Sequence, residues 1–317
     1  MNPIDVVNAA DGGYVPHTAA MLHSLFSANP GQAFTCHFLH KGIDDSHLQA
    51  LEALCARHGA RFAPTVVARS RLEGLPIEGR FPEEAWYRVF LPQLLPQVDR
   101  AIWLDSDTLV LKPIRELWTL DLAGLPLAAV PNPALYTFAD MVKKIGVEDR
   151  SQYFNSGVML LDLKQLRDEG SETALRAAGA KYRQWIRFAD QDVLNVVYHR
   201  RYRRLRLAWN VLAHAHVNVP ETLRVHGLEE YREAMAAPRI VHFTGLEVMK
   251  PWYYRCSHPH RDAYLHHRAA AGWPPPDYPD RNLRNAFMRH VPLRLRTVAR
   301  TAWYGRYAEM LSYLRPW

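Results

Sequence analysis

The chain has 317 residues, 48% of them hydrophobic and 22% charged. That suits one large α/β domain with an appendage, or two domains, and excludes a disordered, collagen-like or repeat-built protein. The formal charge is +7, but it is local: residues 281–317 hold eight arginines, no lysine and one acid, Glu309, while the rest of the chain balances. The body therefore has no net preference for a polyanion, and nucleic acid is not an expected partner. The opening Met-Asn-Pro-Ile-Asp-Val-Val carries no basic cluster leading into an apolar run, and no run of about 18 apolar residues occurs. Cys36, Cys55 and Cys256 fit neither a disulfide framework nor a zinc site. The expectation is a cytoplasmic protein with buried, reduced thiols.

In chain order, Ile4 to Ala10 reads as a buried first strand, Thr18 to Phe26 as a helix and Phe34 to His40 as a second strand. Asp44 to Arg57 carries Leu48, Leu51 and Leu54 at helical spacing. Arg61 to Val67 reads as a third strand, and Glu83 to Leu95 as a helix. Ala101 to Leu104, Leu127 to Val130, Val158 to Leu163 and Arg239 to Phe243 are further short strands, and Asp190 to His199 is a helix opened by acids. Strands alternating with helices predict a mainly parallel sheet covered on both faces, with ligands beyond the carboxyl ends of its strands. Pro274-Pro275-Pro276 breaks the chain, which puts a boundary near residues 272–282: a catalytic-sized body over 1–275 and a tail over 276–317.

The strongest local signal is Ala-Ile-Trp-Leu-Asp-Ser-Asp-Thr-Leu-Val-Leu at 101–111. Asp105 and Asp107 repel each other at the end of a buried strand, and a hard divalent cation bound to phosphate oxygens removes the conflict. The bland alternative is a solvated turn in which one acid caps the next segment. Two enzyme classes use such a pair. In phosphatases resembling haloacid dehalogenases the first aspartate, here Asp105, attacks phosphate; in transferases of nucleotide-activated sugars the pair holds a metal on a diphosphate. A non-catalytic nucleotide-sugar-binding module is a third reading.

Further segments separate these classes. They are Ala9-Ala10-Asp11 with Tyr14, Trp86-Tyr87-Arg88, Leu104-Asp105-Ser106-Asp107, Tyr153-Phe154-Asn155-Ser156-Gly157-Val158, Asp190-Gln191-Asp192-Val193-Leu194-Asn195, and His242-Phe243-Thr244-Gly245 with Lys250-Pro251-Trp252. This ordered series, spanning about residues 4 to 255, resembles glycosyltransferase family 8, and within it the bacterial lipopolysaccharide galactosyl- and glucosyltransferases. The resemblance implies a GT-A fold and a retaining hexosyl transfer from a UDP-sugar to a glycan or glycolipid acceptor. It implies Mn²⁺, or Mg²⁺, on Asp105, Asp107 and His242, a set whose imidazole suits Mn²⁺ better. Asp11 would accept the uracil N3–H and Tyr14 would stack on the base, with Ala9 and Ser106 lining the nucleotide. Arg88, Asn155 and Gly245 would bound the sugar and phosphates, and Lys250 would neutralise the diphosphate. Gln191 would stabilise the oxocarbenium-like centre while Asp190 holds sugar hydroxyls; an Asp190 nucleophile is the alternative. Each also has an ordinary reading: core packing for Tyr14, a surface arginine for Arg88, a strand-end histidine for His242, a helix cap for Asp190.

The sequence departs from the family pattern at Gly13, where members often carry Asn, at Asn132, where Asp is common, and at residues 246–249, which lengthen the loop before Lys250. In the tail, Leu295, Ala299, Trp303, Tyr307, Met310 and Leu314 recur at three- and four-residue steps among arginines. That is the pattern of a basic interfacial helix, expected on an anionic inner membrane surface; packing on the body is the alternative.

Overall fold

Apolar residues of three strands of the main sheet are divided between two apolar clusters. In the computed structural model, which describes residues 3–77, 81–133, 139–245 and 247–288, Ile4, Val6, Phe34, Cys36, Phe38, Ile102 and Leu104 face one cluster. Val7, Leu39, Ala101 and Trp103 face the other. All seven residues of Phe34–His40 are buried, as a central strand covered on both sides requires. The strands are β1 (Ile4–Ala9), β2 (Phe34–His40), β3 (Arg61–Val66), β4 (Arg100–Leu104), β5 (Thr108–Val110), β6 (Leu127–Pro131), β7 (Phe154–Asp162), β8 (Arg203–Arg204), β9 (Val211–Leu212) and β10 (Ile240–His242). The main sheet runs β3-β2-β1-β4-β7-β6-β8, and only β7 opposes its neighbours. A small second sheet runs β5-β10-β9.

The predicted elements stand within a few residues of the observed ones. The first helix spans Val15–Ala28, with Pro16 in its first turn, where a missing N–H is harmless. It stops at Asn29, whose Nδ2 donates to Leu25 O over 2.7 Å and whose Oδ1 accepts from Ile114 N over 2.9 Å. The expected helix from Glu83 to Leu95 is split into a 3-10 stretch, Glu83–Phe90, and a short α-helix, Leu91–Leu94. Pro92 causes the split, because it has no N–H with which to reach the carbonyl of Arg88 and continue an α-helix. β7 begins at Phe154, four residues before the expected start, so that Asn155, Ser156 and Gly157 lie within a strand rather than ahead of one. Sequence patterning did not reveal β5, β8 and β9, which are two or three residues long.

The three cysteines are buried thiols outside any disulfide, as expected. No helix among the described residues is long and apolar enough to cross a membrane. At the predicted 272–282 boundary the chain is still tied to the body: Asp280 accepts from Tyr254 N over 2.6 Å and from Arg255 N over 3.2 Å. The last described helix is Leu283–Met288, and the tail positions from Leu295 to Leu314 lie outside the described residues.

Candidate active site

Asp105 and Asp107 lie in the tight turn between β4 and β5, closed by Thr108, which donates to Asp105 O from its N over 3.1 Å and from its Oγ1 over 2.7 Å. β5 pairs antiparallel with β10 in a register that sets Thr108 opposite His242. A histidine 135 residues away in sequence is thereby delivered beside the acids, with Nε2 3.0 Å from Asp107 Oδ1 and 3.6 Å from Asp105 Oδ2. One ligating atom from each of Asp105, Asp107 and His242 falls within 4.8 Å of the other two. Burial alone would raise the Asp107 carboxyl, but the adjoining His242 ring and the charge of Lys250 outweigh it and hold Asp107 well below the usual carboxylate range.

The placement of these groups depends on Gly157. Its carbonyl accepts from Asp105 N over 2.8 Å, which pulls β7 against the turn. A Cβ there would lie 2.7 Å from both Asp105 Oδ2 and His242 Nδ1. Two carboxylates and an imidazole, set in place by a strand that approaches so closely that only glycine fits, suit a divalent cation.

Arg88 organises the opposite side. Its Nη1 donates to Asp105 Oδ1 over 2.5 Å and to Ser156 O over 3.3 Å. Its Nη2 donates to Asp190 Oδ1 over 2.9 Å, and Nε stands 2.5 Å from Asp190 Oδ2. Trp103 Nε1 also donates to Asp105 Oδ1 over 2.7 Å, and the guanidinium lies 4.7 Å over the Trp103 ring. Asp105 thus has one oxygen fixed by Arg88 and Trp103 while the other faces His242. Arg88 is buried rather than a surface arginine, and it reaches two carboxylates. Burial lifts the Asp190 carboxyl to about 6 against the pull of Arg88.

Asp190 opens the helix Asp190–Tyr198 as its first residue rather than as its cap; the cap position is Ala189, at φ 49° and ψ −126°. This backbone is unfavourable for any L side chain. It is held by Asp192, whose Oδ2 accepts from Arg187 N over 2.6 Å and from Phe188 N over 2.8 Å, and whose Oδ1 accepts from Tyr153 OH over 2.6 Å. Burial raises the Asp192 carboxyl, partly offset by these donors. Gln191 Nε2 donates to the same tyrosine oxygen over 3.0 Å, and Gln191 Oε1 accepts from Asn155 Nδ2 over 2.8 Å and from Ser156 N over 3.2 Å. Asn155, Gln191 and Asp190 therefore form one buried wall.

The nucleotide-side positions gather at the end of β1. Ser106 Oγ donates to Ala9 O over 3.1 Å and accepts from Thr18 Oγ1 over 2.9 Å, joining the acidic turn to the first strand and helix. Asp11 Oδ1 accepts from Tyr14 N over 2.9 Å and caps the turn that presents the Tyr14 ring. A Cβ on Gly13 would come within 3.3 Å of that oxygen. Tyr14 makes T-shaped ring contacts with His17 and Trp252, with centroids 4.9 and 6.2 Å apart. Burial, followed by the charges of Asp107 and Asp11, raises its hydroxyl far above the ordinary range. Residues Glu247–Met249 of the longer loop fold as a 3-10 turn after Gly245, at φ 79°. Lys250 Nζ then sits 5.4 Å from the Trp252 ring centroid, close enough for its charge to act on Asp107. Asn132 is buried, and its backbone N donates to Tyr153 O over 2.8 Å.

Sequence patterning gave no role to Trp103, Gly157, Tyr153 or Asn210. Asn210 accepts from His242 Nδ1 over 3.1 Å and donates to Asn155 over 2.8 Å. Its one local signal was a lone amide between Trp209 and the apolar run Val211-Leu212-Ala213, where a buried polar group needs partners.

Comparison with known proteins agrees with this architecture. The chain is 28% identical over 273 residues to general stress protein A of Bacillus subtilis (strain 168), covering 84% of this chain and 94% of that one. It is 24% identical over 253 residues to the lipopolysaccharide 1,2-glucosyltransferase of Escherichia coli (strain K12), covering 79% and 73%. The galactosyltransferase LgtC, solved in complex with donor and acceptor sugar analogs, superposes with a TM-score of 0.76 at 23% identity, covering 86% of this chain and 98% of that one, and shares its GT-A fold. The sequence model of glycosyl transferase family 8 matches residues 5–256, from the first strand through the segment that carries Lys250. With that match added to the motif order, the chain belongs to glycosyl transferase family 8.

Proposed function

We propose that the protein transfers a hexose, galactose or glucose, from a UDP-sugar to a glycan acceptor such as a lipopolysaccharide core or another glycolipid, with retention of anomeric configuration. The observation that carries this reading is the convergence of Asp105, Asp107 and His242 beside the close approach of Gly157. The named activities of the Escherichia coli relative and of LgtC support a hexose and a glycan acceptor.

Asp105, Asp107 and His242 would hold Mn²⁺ or Mg²⁺, which when bound supplies positive charge to a departing diphosphate. Lys250 adds a second positive charge on the same side, and Asp11 and Tyr14 would offer a carboxylate for the uracil N3–H and an aromatic face to stack on the base. Arg88 fixes the orientations of Asp105 and Asp190 together. Asn155, Asp190 and Gln191 face the sugar in this reading. The oxygen of Gln191 is already held by Asn155 and Ser156, so its position is set before substrate arrives.

Titration calorimetry with UDP tests the reading. UDP should bind in the presence of Mn²⁺ and lose at least about tenfold in affinity with chelator or in Asp107→Ala. Equal affinity with and without the metal would overturn it. Mn²⁺-dependent hydrolysis of UDP-galactose against UDP-glucose then ranks the donors. The arginine-rich tail is proposed for an anionic membrane face on its sequence alone, and sedimentation with phosphatidylglycerol vesicles, with and without residues 289–317, checks that separately.

A further inference from the structure

We propose that Asn210 is a positioning residue that holds the proton of the His242 ring on Nδ1 and so leaves Nε2, the nitrogen facing the two carboxylates, to bind the metal; this rests on the metal reading above. Backbone N–H groups only donate, so they fix the polarity of side-chain amides they touch. Gly157 N donates to one end of the Asn155 amide over 2.9 Å, which makes that end the oxygen. The other end, Nδ2, donates to Gln191 Oε1, and Ser156 N independently marks that Gln191 atom as an oxygen.

Asn210 meets Asn155 Oδ1 at 2.8 Å and must present its NH₂ there, because a carbonyl would set two acceptors against each other. Its own Oδ1 then points at His242 Nδ1, 3.1 Å away, and demands a proton on that nitrogen. In the neutral ring Nε2 then carries the lone pair, which suits a cation lying between it and the carboxylates; with none there, Nε2 stands 3.0 Å from Asp107 Oδ1 and needs a proton of its own. Without Asn210, the ring would gain by moving its proton to Nε2, where Asp107 Oδ1 accepts it, and the imidazole would cease to be available as a ligand. Asn210, His242 and Asn155 are 0%, 2% and 7% exposed, so water does not compete for these bonds. The arrangement follows from the small sheet: β9 pairs parallel with β10, Leu212 beside His242, which sets Asn210 against the edge of the ring remote from the carboxylates.

The test is a long-range ¹H–¹⁵N correlation spectrum of ¹⁵N-histidine protein loaded with Mg²⁺ at pH 8, above the ordinary imidazole range. His242 is assigned by its loss in His242→Gln. Wild type should show the Nδ1–H ring. Asn210→Leu should shift His242 to the Nε2–H ring and weaken Mn²⁺ binding, read by electron paramagnetic resonance of free Mn²⁺, by about 10- to 100-fold. Asn210→Asp, which keeps an acceptor for Nδ1 but gives up the donor to Asn155 Oδ1, should lose stability yet retain the wild-type ring form. An Nε2–H ring in wild type, or an unchanged ring and Mn²⁺ affinity in Asn210→Leu, would overturn the proposal. If wild type binds no Mn²⁺ at all, the metal reading fails instead, whereas Mn²⁺ bound equally by wild type and Asn210→Leu fails the Asn210 assignment alone.

Discussion

Gly157 and His242 stand so close that a single added methyl group on the glycine would lie 2.7 Å from Nδ1 of the imidazole, and as near to Asp105 Oδ2. The glycine is needed for close approach, and its place within β7 shows that the backbone there is ordinary strand. Gly157→Ala is therefore expected to push His242 or Asp105 off its position. Mn²⁺-dependent UDP binding should fall by about 10- to 100-fold. Overpacking should cost about 1–3 kcal/mol of stability. Calorimetry and urea denaturation read the two effects, and unchanged UDP binding would show that this close approach is not needed.

Arg88 holds two carboxylates with one planar fork, and a lysine cannot reproduce that geometry. Arg88→Met leaves Asp190 buried without its cation and should destabilise the protein by about 3–5 kcal/mol. Asp190→Asn in the same background should recover much of that loss, since the stranded charge is gone. Arg88→Lys should fall between wild type and Arg88→Met. Urea denaturation of wild type, Arg88→Met, Asp190→Asn and the double variant completes the cycle; strict additivity would show that the pair is not coupled.

Ala189 adopts a backbone that glycine enters freely, immediately before Asp190. Ala189→Gly should relieve strain of about 1–3 kcal/mol, offset by about 0.4–1 kcal/mol of added freedom in the unfolded chain. The expected outcome is a modest rise in melting temperature, measured by calorimetry. A fall would mean that the Asp192 staple, not the residue type, already sets the conformation at no cost.

Glu230 accepts from Leu207 N over 2.5 Å, from Arg204 over 3.0 Å and from His226 over 3.1 Å. Burial would raise its carboxyl, but these donors prevail and hold it down at about 2, from an ordinary 4.5. A depressed acid stabilises the fold fully above its unfolded value and loses that contribution as pH falls through the folded value. Wild type should therefore exceed Glu230→Gln in stability at pH 6, with the gap narrowing below about pH 4.5 and nearly closed by about pH 2. Denaturation series at pH 6, 4 and 3 check this; a gap independent of pH would assign it to packing instead.

The strands most legible in the sequence were those that are wholly buried. Phe34–His40 was read to the residue because Phe34, Cys36, Phe38 and Leu39 make a short, mostly apolar run closed off by Gly31 and Gly42. The helix over Glu83 to Leu95 was read too simply, since period alone does not register the N–H that Pro92 lacks. β5, β8 and β9 were not legible at all; strands of two or three residues carry no period to detect. Among site residues, Asp105 and Asp107 announced themselves by mutual repulsion at a strand end. His242 was one of sixteen histidines and was set apart only by the family motif around it. Arg88, read as lying near the sugar or phosphates, proved to be the clamp between Asp105 and Asp190.

The sequence by itself determined the α/β class, the acidic turn, the order of the motifs and hence the family, because these are properties of neighbouring residues: side-chain period, chain-breaking prolines and local charge. Tertiary structure alone decided which groups touch. The register of β5 on β10 brings His242 to Asp107, β9 brings Asn210 behind His242, and β7 brings a residue without a side chain to the one place where none fits. Such pairings join residues from tens to well over a hundred positions apart. They are fixed by the ladder of backbone hydrogen bonds, whose register leaves no mark on the composition of any single strand.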